Sequence, residues 1–204
     1  MSHSTADISV REKRAIENFD AANAADPNVE IVNGTARAKE LVYAERMTAM
    51  LARFAPEADE TVRLAVRAQH IERWRIARDS YPANRAGYHD WRTTLYGFHA
   101  DRAGALMRDA GYDEDSIARV ATMLRKANLN DPATQMMEDV VGLVFIESYM
   151  ADFAAKHPEY DEAKWLGIVR KTWAKMSSRG QAFALSGIQL PVALVPLITK
   201  AVTK

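Results

Sequence analysis

Apolar residues recur through most of the chain at three- and four-residue spacings, and that pattern predicts an almost entirely helical protein. Ile16 and Phe19, followed by Ala21 and Ala22, mark a first helix over Val10 to Ala25 that ends near Asp26-Pro27. An irregular link through Asn33-Gly34 is expected next. Val42, Met47, Met50, Leu51 and Phe54 then trace one face of a helix from Ala36 to Phe54, closed by Pro56. Asp59 suits the N-cap of a helix carrying Val62, Leu64, Ala65, Val66 and Ala68. At Gln69-His70 the pattern breaks, and Ile71 to Ala86 reads as a structured loop.

A long helix is expected from between Gly87 and Asp90 to Ala110, where Gly111 can take a left-handed C-terminal position. Asp113 caps a helix over Glu114 to Lys126, and Asp131-Pro132 opens another that runs to Phe153. Val140, Val141, Leu143, Val144, Phe145 and Ile146 make that helix apolar on nearly every side, so it should be central. Past Pro158, the spacing of Trp165, Ile168, Val169, Trp173 and Met176 predicts one helix ending at Gly180. Residues 188–203 form a packed C-terminal helix, too short and too interrupted by Pro191 and Pro196 to span a bilayer. With no strand-type alternation and no repeat, the expectation is all-α: a single-domain helical bundle over residues 1–204, with about eight helices and no sheet.

Charge narrows the partners. Lys and Arg total 27, as do Asp and Glu, so no overall field draws the protein to nucleic acid or to an anionic membrane, and neither is expected as a partner. Electrostatic recognition must be local, and a small anionic ligand is the expected partner. The absence of cysteine removes disulfides, thiolate metal sites and cysteine nucleophiles, and suits a reducing compartment. The opening MSHSTADISVREKR has no apolar stretch after its first basic residues, so a cytoplasmic location is expected.

Three places carry candidate chemistry. His70 ends an apolar helical run, where an imidazole can ligate metal, shuttle a proton or simply hydrogen-bond. Glu138 and Asp139 head the most apolar helix, where a carboxylate needs a partner: backbone amides or an internal arginine in the structural reading, a metal or a catalytic proton in the functional one. The third is the basic segment Arg67 to Arg92, with six arginines against three acids. Trp74, Tyr81, Tyr88 and Trp91 are interleaved with those arginines, a composition suited to a compact anion or a nucleotide base. No Gly-rich phosphate loop, HExxH helix or GxSxG elbow is present.

The strings KELVYAERM, RAQHIERW, RDSYP, AGYHDWR, LRKANL, MEDVVGLVF and VRKTWAKM resemble, in matching order from about Ile16 to Gly180, the family called domain of unknown function 4202. That family is in turn distantly similar to the HD superfamily of helical metal-dependent phosphohydrolases, in which a histidine, a His-Asp doublet and a later aspartate bind metal. The resemblance implies an HD-like arrangement of helices, with a divalent metal held by His70, His99, Asp139 and Glu40. It implies catalytic roles for His70, Asp139, Glu138 and Lys126. A small phosphorylated or nucleotide-like substrate would lie on Gln69, Arg73, Trp74, Arg78, Tyr81, Arg85, Tyr88 and Arg92. The chain departs from the pattern: Ile71 replaces the doublet's aspartate, Tyr43 or Glu40 stands where the first histidine is expected, and Lys126 stands near the place of another. A non-catalytic module that senses an anion or nucleotide is the alternative these departures suggest.

Overall fold

The computed structural model describes residues 8–202, whose regular structure is helical apart from one two-stranded hairpin, so the chain is all-α in class. Contacts divide the chain into two compact units: the segments Met1–Thr48 and Ala58–Asn128 form one, and Ala49–Glu57 with Leu129–Lys204 form the other.

In the first unit, α1 (Val10–Ala24) opens at Ser9, whose hydroxyl accepts from the Glu12 amide, and buries Ala15 and Phe19. The hairpin of β1 (Val29–Val32) and β2 (Thr35–Ala38) follows, in antiparallel register from Val29 opposite Ala38 to Val32 opposite Thr35. This corrects the irregular link and the absence of a sheet expected from sequence. Asn33 at φ 50° and Gly34 at φ 79° are the two left-handed residues that a tight hairpin turn needs. The strands lack a buried apolar face, since Val29 and Ile31 are exposed, and their outer charges pair with the next helix through Arg37–Glu45 and Arg46–Glu30. The pairing therefore left no period-2 signal in the sequence.

Helix α2 (Lys39–Phe54) starts at Lys39 because Thr35 to Ala38 are taken up by β2. Helix α3 (Glu60–Ala68) is capped by Asp59 as expected and buries Leu64, Ala65, Val66 and Ala68 completely. Two short 3-10 turns, Arg73–Arg75 and Arg78–Ser80, order the loop that follows. Helix α4 (Arg85–Asp109) begins two residues before Gly87 because Asn84 caps it, accepting from the Gly87 amide at 2.8 Å. Gly111 at φ 92° ends it in the left-handed conformation expected. Helix α5 (Glu114–Arg125) is capped by Asp113 and closed by Lys126, itself left-handed at φ 53°.

In the second unit, α6 (Pro132–Val144) is capped by Asp131 and buries Met137, Val140 and Leu143 completely. The helix expected to run unbroken to Phe153 instead widens into a π-turn over Phe145–Tyr149 before α7 (Met150–Ala155). Past Pro158 the single expected helix is two: α8 (Glu162–Trp173) and α9 (Ser178–Ser186), with Gly180 inside the second rather than ending the first. Ser177 causes the break, since its hydroxyl caps α9 by accepting from the Gly180 amide. The C-terminal helix, α10 (Val195–Val202), forms only after a 3-10 turn that follows Pro191. No helix among the described residues is long and apolar enough to cross a membrane.

Candidate functional site

The first unit holds a cluster of buried polar groups around His70, and three anchors build it. Asp26, buried at the end of α1, accepts from the amides of Asn28 and Glu40, so the hairpin between them is tied at its base and Glu40 is fixed in the first turn of α2. Glu72, two residues past His70, is left-handed at φ 47°. Its amide donates to Asn23 Oδ1 at 2.9 Å, and its carboxylate takes Arg75 at 2.9 Å and Arg102 at 2.5 Å. A non-glycine residue in that conformation needs such surroundings to hold it, and the result is a chain pinned immediately after His70. The third anchor is α4, where Tyr88, Arg92 and Tyr96 recur every four residues and Trp91, Leu95 and His99 do the same one position earlier. Trp91 is buried and donates from Nε1 to the Ile76 carbonyl at 2.8 Å, which fastens the loop to the helix.

The two ring nitrogens of His70 are occupied differently. Nε2 lies 3.0 Å from an Arg73 guanidinium nitrogen, and arginine has no acceptor, so Nε2 must accept and carries no proton. The proton therefore sits on Nδ1, facing the Glu40 carboxylate 3.4 Å away. Tyr43 stacks on the ring with centroids 4.0 Å apart and sends its hydroxyl to Gln69 Oε1 at 2.7 Å. The His99 ring lies 6.0 Å from that of His70. Its Nδ1 is 2.8 Å from the Ile71 carbonyl, which can only accept, so His99 also holds its proton on Nδ1. Its Nε2 is then a buried lone pair with no hydrogen-bond partner, in a residue only 2% exposed.

Cations dominate the surroundings. Burial first, and then the charges of Arg73, Lys126, Arg92 and Lys39, hold the His70 ring well below its ordinary pKa and so neutral. Burial, His70 and Arg73 push His99 down to about 3, against the opposing pull of the Ile71 carbonyl and Glu40. Burial raises Glu40 above the usual carboxylate range even though Arg73, Lys39 and His99 pull the other way. Burial also lowers Arg73, whose guanidinium lies 4.6 Å from the Trp91 ring centre. A ladder of cations and rings continues along α4. Arg92 sits 5.8 Å from the Tyr88 ring and 5.4 Å from the Tyr96 ring, and the Lys126 ammonium is 5.2 Å from the Tyr96 ring.

The structure therefore brings together His70, His99, Glu40, Gln69, Arg73, Tyr88, Arg92 and Lys126 from the residues singled out in the sequence, and adds Lys39 and Tyr43 to the working set. Lys39 begins α2 beside Glu40, and its place follows from the hairpin that the sequence pattern did not reveal. Arg78 serves the loop: two of its guanidinium nitrogens donate to the carbonyls of Tyr81 and Pro82 at 3.0 and 2.9 Å, while its charge lies 5.9 Å from both Tyr88 and Trp91. Trp74 and Tyr81 are half-buried, and Arg85 is exposed in the first turn of α4.

Asp139 belongs to the second unit and is buried with its hydrogen bonds supplied locally. Oδ1 accepts from the Ser177 amide at 2.7 Å and from Gln135 at 3.0 Å, and Oδ2 accepts from the Ser177 hydroxyl at 2.5 Å. Gly180 makes the room, because a Cβ there would fall 2.7 Å from the Asp139 carboxyl carbon. The carboxylate is thus a fastener for the start of α9, at the end of that helix where negative charge is favoured. Its neighbour Glu138 is half-buried.

The donors around His70 do not fit a divalent metal. One ring nitrogen of His70 is engaged by a cation and the other faces Glu40, and the charges of Arg73, Lys126, Arg92 and Lys39 all act against a further cation there. No three His, Asp or Glu side chains among the described residues are grouped so as to hold a metal ion.

Compared with known proteins, residues 13–198 match the family model described as a domain of unknown function (DUF4202). Neither a curated protein nor a solved structure matches the chain.

Proposed function

The chain belongs to this family of unknown function, and from the charges gathered at His70 we propose that it binds a small phosphorylated or nucleotide-like anion there. The observation that carries the reading is the convergence of Arg73, Lys126, Arg92 and Lys39 on one neutral, partly buried histidine. Like charges this close repel, and burial deprives Arg73 of solvent. An anion relieves both costs at once, because two guanidinium groups offer paired donors and two ammonium groups add charge. Tyr88, Trp91 and Tyr96 line the same ladder and supply ring faces for a base or sugar.

Binding without turnover is the form the donor set favours. A hydrolytic form, as the likeness to HD phosphohydrolases suggests, has one observation on its side: His70 is held neutral, as a general base must be. Its lone pair is committed to Arg73, so it becomes available only if a ligand draws the guanidinium away. The test is thermal unfolding in rising concentrations of inorganic phosphate and of a nucleoside monophosphate at constant ionic strength. Saturation to one hundred times Kd should stabilise the fold by about 2.7 kcal/mol. Arg73→Ala and Arg92→Ala should lose most of that gain, while Arg85→Ala keeps it. Equal shifts in all four proteins would mean a general salt effect and end the proposal.

A further inference from the structure

One feature of the cluster does not belong to a site made only to attract negative charge: the buried, unpartnered lone pair on His99 Nε2. Its tautomer is fixed by the Ile71 carbonyl, which leaves Nε2 able only to accept. A buried acceptor without a donor is rare, because it loses its hydrogen bond to water and gains nothing in return. Glu40, a second acceptor when ionised, faces His70 across 3.4 Å and acts on His99 by its charge. A fully ionised oxyanion would set its oxygens against these lone pairs. An anion that keeps a proton would instead present one O–H to an acceptor and its charged oxygens to Arg73, Arg92 and Lys126.

The geometry points to a ligand with a hydrogen-bond donor beside its anionic oxygens, so that the site takes hydrogen phosphate and discriminates against sulfate through His99. This rests on the anion reading above and names the chemical class within it. Mildly alkaline solution makes the contrast clean, since hydrogen phosphate and sulfate are then both dianions of similar size and differ by one proton. Arsenate and selenate repeat the same contrast at larger radius. A site built to bond a donor rejects the analogue without it by far more than a difference in size would.

The experiment is isothermal titration of the whole protein with each of the four anions at matched ionic strength, repeated on His99→Phe and His99→Gln. The wild type should prefer phosphate over sulfate, and arsenate over selenate, by at least about tenfold. His99→Phe should bring each pair within about twofold by losing phosphate affinity. His99→Gln, which restores an acceptor oxygen, should recover part of the preference. Should His99→Phe fail to fold, the wild-type ratios and the Gln variant still decide the matter. Comparable binding of phosphate and sulfate by the wild type would overturn this inference and leave the anion site standing. Absence of binding by all four anions would instead remove the site itself.

Discussion

Two buried acids, Glu40 and Asp139, stand in opposite conditions. Asp139 receives three hydrogen bonds, two from Ser177 and one from Gln135, and a glycine is placed where any side chain would collide with it. Glu40 meets one histidine at 3.4 Å, sits among basic groups that outnumber it, and is held above its normal ionisation range by burial. Nearby, His99 has a lone pair with no partner at all. A polar group whose bonding is complete contributes to the fold. One with bonding capacity left over in a buried place costs stability, and that cost is typical of a place made for something else.

The comparison breaks most visibly in acid. His70 and His99 both titrate below 6.5 in the folded protein, chiefly through burial, with Arg73 foremost among the charges on His70 and the His70 ring foremost for His99. Their stabilising contribution is complete above the unfolded value and disappears as pH falls from 6.5 toward the folded values, about 3 for His99. The slope is about 1.4 kcal/mol per pH unit for each ring that stays neutral. Glu40 acts with the opposite sign: its contribution is complete at low pH and is lost as pH rises through its raised folded value, so it partly offsets the histidines in acid. Denaturant midpoints measured across that range should fall with pH, and His99→Phe should flatten the curve. A wild-type midpoint constant from neutrality to pH about 4 would refute the neutral pair.

Asp139→Ala gives the next largest effect, a loss of about 2 kcal/mol, because it strands the half-buried amide and hydroxyl of Ser177. Phosphate affinity should not change. If instead stability held while affinity fell, Asp139 would be a site residue and the contrast drawn here would collapse. Gly180→Ala follows, expected to cost up to about 2 kcal/mol through the clash with the Asp139 carboxyl. Pairing it with Asp139→Ala sharpens the point. The clash should vanish once its partner is gone, so the two losses should be clearly less than additive in a urea titration.

The helices were legible because their caps and periods are local signals: Asp59, Asp113 and Asp131 cap the helices their positions announce. The hairpin was not, although Asn33-Gly34 is a strong turn signal, because its strands carry charges that pair with α2 and expose Val29 and Ile31. Gly180 misled for a related reason: a glycine read as a helix stop is there to admit a carboxylate from α6. His70 and the arginines that follow it could be read as a unit because they adjoin in the chain. Glu40 was placed beside His70 only through the family resemblance and Lys39 not at all, because the hairpin that delivers both carried no period, and which arginines face the histidine depends on loop hydrogen bonds such as those of Arg78. Asp139 drew attention for a sound reason, a charge on an apolar helix, but Ser177, which gives it two of its three hydrogen bonds, lies 38 residues further on, at a break between α8 and α9 that no period announced.

The most direct test of the central claim is the phosphate affinity of the wild type and of Arg73→Ala, measured by calorimetry together with their stabilities in the absence of anion. A cationic cluster held for a ligand predicts that Arg73→Ala weakens phosphate binding at least about tenfold, equivalent to about 1.4 kcal/mol. The unliganded variant should lose under about 1 kcal/mol of stability, since removing a buried cation also removes repulsion. Unchanged affinity with a stability loss of about 3 kcal/mol or more would contradict the account and make Arg73 a structural partner of His70 alone.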